Sequence, residues 1–166
     1  MSDVDPLLRR PLVPIANVED AITTAETALP HIAAAGGRAT VVHVIEKGGG
    51  VPDKASVEQR EELAEAAFDR IRAAAEDVGV DIETELHYGT DVGASILDAA
   101  HDADATAIAF TPRGGRAWWA IFSDSVRKTL TTESDLPVVV FPNLESEDAD
   151  TSDQAGDGDD SRGEGA

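Results

Sequence analysis

The chain has 166 residues, enough for one domain with a real core and a tail. Its formal net charge is −20, from 33 acidic against 13 basic side chains, which argues against nucleic acid and anionic lipid as partners. It has no cysteine, so disulfides, thiolate metal sites and cysteine nucleophiles are excluded.

From the N-terminus, MSDVDPLLRRP is too polar for a secretory leader. No apolar run reaches membrane-spanning length, so the expectation is a cytoplasmic protein with no membrane insertion. Residues 12–16 (LVPIA) read as a first strand. Val18, Ile22, Ala25, Leu29 and Ile32 then mark one face of a helix. Asn17 is placed to cap it, Glu19 and Asp20 lie in its first turn, Pro30 should kink it, and Gly36 and Gly37 should stop it.

Residues 38–45 (RATVVHVI) are β-branched and apolar, as in a buried strand. A loop follows (46–55), and then a capping box, Ser56 with Gln59 three residues on. The helix it opens shows Ala64, Phe68, Ile71, Ala75 and Val78 on one face and should end at Gly79. Residues 81–88 alternate apolar and polar, the pattern of an edge or half-buried strand. Val92, Ile96, Ala99 and Ala103 give another helix, and residues 105–110 a fourth strand. Ser123 should cap a last helix carrying Val126 and Leu130, and residues 136–141 read as a fifth strand. Residues 145–166 carry no large apolar side chain, so the expected division is a domain at 1–144 and a disordered acidic tail at 145–166.

Strands alternating with helices imply parallel pairing and right-handed crossovers. The expected fold is a doubly wound, five-stranded parallel α/β sheet, Rossmann-like, with helices on both faces. Such sheets bind ligands beyond the carboxyl ends of their strands, at the switch point between the first and fourth strands. That places Pro14, Ala16 and Asn17 opposite Thr111, Arg113, Gly114 and Gly115. Paired glycines let backbone amides approach a ligand, the arginines attract phosphate, and Ser125 sits at a helix start, where an anion is favoured. Val44, at the end of the second strand, joins this candidate ligand-binding set. No residues form a catalytic constellation, and none of the four histidines falls at metal-ligand spacing. His43 reads as a satisfied core residue, while His87 lies near the end of the third strand. Of the adjacent Trp118 and Trp119, one should pack inward.

Residues 9–142 resemble the universal stress protein family. The resemblance is carried by LVPIAN before the first helix, VVHVI in the second strand, the stretch HYGTDVGASILDAAHDADATAIAF, and SDLPVVVFP at the end. Its ATP-binding branch has Gly, two residues, Gly, nine residues, then Gly and Ser or Thr. Here Gly114 and Ser125 match, but Thr111 and Asp124 stand where that branch has its first and third Gly. That branch also has an Asp just after the first strand, where this chain has Ala16 and Asn17. The resemblance therefore implies a stress-response module, not an enzyme, that binds ATP or another nucleotide weakly. It also implies a homodimer through Pro137, Val138, Val139, Val140 and Phe141 at the sheet edge. The alternatives are a cytoplasmic regulator of a membrane transporter and a nucleotide-hydrolysing enzyme. The abundance of Asp and Glu beside few Lys further resembles proteins of salt-loving organisms, because high salt screens self-repulsion.

Overall fold

Among the described residues, ten elements follow one another: β1 (Pro11–Pro14), α1 (Val18–Thr27), α2 (Leu29–Ala34), β2 (Ala39–Glu46), α3 (Lys54–Val78), β3 (Ile82–Gly89), α4 (Val92–Asp102), β4 (Ala107–Phe110), α5 (Asp124–Thr132) and β5 (Val138–Val140). This computed structural model describes residues 6–48, 54–111 and 124–142. The strands form one parallel sheet in the order β3-β2-β1-β4-β5. The doubly wound arrangement follows from this order. The chain moves outward from β1 through β2 to β3, then crosses back to β4 and β5 on the other side.

Right-handed crossovers in opposite directions put the helices on opposite faces. On one face, α1, α2 and α3 bury Ala21, Ala25, Leu29, Ile32, Phe68 and Ile71 against Val13, Val41 and Ala109 of the sheet. On the other, α4 and α5 bury Ile96, Ala99, Ala100, Val126 and Leu130 against Leu12, Val42 and Ile108. β1 supplies alternate residues to the two clusters, which is why its four positions are all buried.

Several boundaries differ from the sequence pattern, each for a local reason. The first helical segment is two helices, with Ala28 between them. Pro30 is the second residue of α2, where its missing N–H has no partner to lose. Ile22 is only half-buried; the buried stripe of α1 is Ala21, Thr24 and Ala25, running on to Ala28. Gly36 has a φ of +65°, and a Cβ on Gly37 would stand 2.0 Å from the Leu8 carbonyl oxygen, so the turn into β2 requires this pair. The capping box at Ser56 is not the start of α3, which already begins at Lys54 and includes Ser56 within it. Val78 is 40% exposed. The buried stripe of α3 is Ala64, Ala67, Phe68, Ile71 and Ala75, resuming at Val80 beyond the turn. β1 begins one residue early and ends at Pro14, although the Ile15 N–H still reaches the Val42 carbonyl at 2.9 Å. β4 and β5 are shorter than their apolar runs. Ser123, the expected cap of α5, and the segment 145–166 lie outside the described residues.

Candidate functional site

Pro14 shapes the carboxyl end of β1. The Ile15 N–H bonds to β2, so in the alternating ladder the neighbouring even-numbered N–H groups belong to β4. Pro14 has no N–H to give. The β1–β4 pairing is confined to Pro11↔Ala107 and Leu12↔Ile108, whereas β1–β2 pairing runs through Pro14↔Val42. The sheet therefore parts at its switch point just where a ligand would enter.

The turn after β1 is fixed by two reciprocal contacts. The Asn17 side chain accepts the Asp20 N–H at 2.9 Å and caps α1, and Asp20 Oδ2 accepts the Ala16 N–H at 2.7 Å. Asp20 is 2% exposed, so its carboxylate belongs to the scaffold of the turn. The same spacing, Asn then Asp three residues on, is a capping-box variant present in the sequence but read there only as first-turn charge.

Beyond this turn lies a cleft of about 460 Å³. Ala16, Asn17 and Val18 line it from the β1 side, His43, Val44, Ile45, Glu46 and Gly48 from β2 and its exit, and Arg60 and Leu63 from α3. Arg60 donates from Nη1 to the Glu46 carbonyl at 3.0 Å, tying α3 across the end of β2. The His43 ring is held by Nδ1, 2.9 Å from the Ile15 carbonyl oxygen. Burial lowers the His43 pKa below its ordinary value, an effect the bond to Ile15 partly opposes.

Of the residues chosen from sequence, Ala16, Asn17 and Val44 come together in this cleft. Pro14 lies behind it, at the end of β1. Thr111 follows β4 and is 1% exposed, with its hydroxyl hydrogen-bonded to that of Thr27. Ser125 is exposed in the first turn of α5, next to Asp124, whose carboxylate accepts from Arg127 Nη2 at 2.7 Å. Arg113, Gly114, Gly115, Trp118 and Trp119 lie outside the described residues. His87, near the end of β3, contacts Glu85 Oε2 at 2.8 Å on the same strand. His43, Glu46, Arg60 and Leu63 were missed as lining. His43 looked like core because its strand is apolar, and α3 residues give no sign in sequence of crossing the strand ends. Among the described residues, no helix is long and apolar enough to cross a membrane.

Comparisons with known proteins agree with this architecture. The family model described as the universal stress protein family matches residues 8–142. No curated protein matches the chain. Among solved structures, a protein of the universal stress protein family from Burkholderia pseudomallei superposes with a TM-score of 0.65 at 22% identity, over 81% of this chain and 96% of that one. Universal stress protein UspA from Lactobacillus plantarum gives 0.61 at 20% identity, over 82% and 99%. The Archaeoglobus fulgidus universal stress protein in complex with dAMP gives 0.56 at 23% identity, over 81% and 98%. With its family model matched along the whole sheet and its strand order that of a doubly wound α/β fold, this chain belongs to the universal stress protein family.

Proposed function

We propose that the chain is a cytoplasmic stress-response module that binds an adenine nucleotide weakly and works as a homodimer, without turnover. The observation that carries this reading is the cleft at the carboxyl ends of β1 and β2, mostly apolar with a few polar groups, which suits a heterocyclic base. The dAMP complex of the Archaeoglobus fulgidus protein supports the ligand class. In this reading Ala16, Asn17 and Val44 flank the base, with Pro14 behind them. Thr111, Arg113, Gly114, Gly115 and Ser125 take the phosphates.

Weak binding follows from Asp124. It is the first residue of α5, and its carboxylate is exposed where a helix start would otherwise attract phosphate. No metal or general base is assigned, and the altered glycine pattern argues against hydrolysis. The dimer reading rests on β5, an apolar strand at the end of the sheet. The charge of −20 supports a protein adapted to high salt.

Calorimetry with ATP at one fixed molar KCl concentration tests the site. Asp124→Gly should tighten binding by about tenfold, and Arg113→Ala should weaken it by a similar factor. Tight binding by the unaltered protein, unchanged in Asp124→Gly, would refute this account of the loop.

A further inference from the structure

His43 holds a position whose chemistry is fixed by its neighbour. A backbone carbonyl can only accept a hydrogen bond, so the 2.9 Å contact with Ile15 requires the proton on Nδ1. In the neutral ring Nε2 is then a bare acceptor, and it has no hydrogen-bond partner among the described residues. The ring lines the cleft beside Val44 and Leu63. The strand thus presents one oriented lone pair to whatever occupies that space.

We propose that His43 is the specificity-determining residue of this cleft: its Nε2 selects a heterocycle carrying an exocyclic amino group over one carrying a carbonyl at the same edge. An amino group donates to Nε2. A carbonyl oxygen would face it lone pair to lone pair, and a desolvated acceptor left unpaired is costly. This deepens the nucleotide reading and rests on it, because it assumes that the cleft holds the base.

The surroundings keep the ring neutral. Burial disfavours the imidazolium. The charged residues lining the cleft are Glu46 from β2 and Arg60 from α3, with Arg60 Nη1 held by the Glu46 carbonyl. From α1, the Asp20 carboxylate takes the Ala16 N–H, while β1 contributes the Ile15 carbonyl and β3 no lining residue among those described. Acid reverses the preference. Once protonated, Nε2 is a donor and suits a carbonyl.

The test compares adenosine and inosine monophosphates, which differ as amino against carbonyl at C6 and, with it, as acceptor against N–H donor at N1. Binding is measured by calorimetry in molar KCl at pH 8 and at pH 5. The unaltered protein should prefer the amino compound by roughly 3- to 10-fold at pH 8, the scale of one hydrogen bond, and that preference should shrink once the pH falls through the lowered pKa of His43. His43→Asn keeps a donor, Nδ2, for the Ile15 carbonyl but has no acceptor at the Nε2 position, because its Oδ1 lies closer to the backbone. It should bind both compounds with a ratio near one at both pH values, while its melting temperature stays close to that of the parent. A purely structural role for His43 would change both affinities together and leave the ratio alone. A ratio unchanged in His43→Asn overturns the proposal while leaving nucleotide binding intact. Failure of both compounds to bind at millimolar concentration overturns the nucleotide reading, and the base selection with it.

Discussion

The two edges of the sheet have the same unpaired backbone and opposite side chains. β3 is eight residues long and mixes Glu83, Thr84, Glu85 and His87 among its apolar positions. Arg72 of α3 reaches over to donate to the Thr84 hydroxyl. β5 is three valines, with Val140 51% exposed and Val138 and Val139 half-buried. Any strand edge is a template for another strand, and charge is a common way to blunt it. β3 carries that protection and β5 does not. The contrast teaches that in a parallel sheet the choice of associating edge is written in side chains.

The sharpest way to break this contrast is to charge both edges. Val139→Lys should abolish the proposed dimer, because the ammonium would be desolvated in an interface through β5. Thr84→Lys on β3 should leave the mass unchanged. Light scattering in molar KCl reads both, and a parent protein that is already monomeric removes the asymmetry altogether.

A smaller effect should come from salt, which screens the acidic surface to which the β3 edge contributes. The melting temperature should rise by roughly 5–10 °C between 0.1 and 2 M KCl. A flat or falling curve would show that the charge is not adapted to salt.

Smaller again is the acid response of β2, the neighbour of β3. The folded-state pKa of His43 lies below its ordinary 6.5, so the unfolded chain binds the proton more readily. Stability from this residue is therefore fully present above about pH 6.5 and is lost as the pH falls through the lowered value. Chemical denaturation between pH 8 and 5 should show a shallower decline for His43→Asn than for the parent. Equal slopes would place the acid response elsewhere. The least effect should follow deletion of residues 145–166, which should alter neither the melting temperature nor the mass. Loss of folding in that variant would refute a domain ending at 144.

The order of elements was legible because four strands are short apolar runs, the remaining one alternates, and the helices have periodic faces. Residues 81–88 even showed their edge position, since alternation survives only where one side of a strand is not fully covered. What sequence could not show is how a helix is rotated or where it begins. Of the expected stripe, Ala25, Leu29 and Ile32 are buried and Val18 packs on the same core, but Ile22 is only half-buried and the fully buried Thr24, polar by type, gave no sign of belonging to that face. At α3, Ser56 fitted a cap, yet the helix extends two residues further back to Lys54. The site was legible where it follows from topology, at Ala16, Asn17 and Val44. It was hidden where it depends on tertiary approach, as with Arg60 and Leu63 reaching the end of β2. His43 was only half explained as a core residue, because one ring nitrogen is satisfied and the other is not.

The central position of β1 also governs how the fold can be reached. β1 comes first in the chain, yet it pairs with β4, and the bond from the Arg10 N–H to Thr106 Oγ1 spans 96 residues. Contacts of such separation require loop closure before they return any stabilisation, which slows folding. During synthesis β1, β2 and β3 can assemble with α1 to α3, but one side of β1 stays bare until Ala107 emerges. The half-sheet therefore waits with an apolar flank exposed, Leu12 and Val42 uncovered until α4 and α5 arrive. Ribosome-bound chains stopped before β4 should be the aggregation-prone species of this protein, and chains stopped after β5 should be protected.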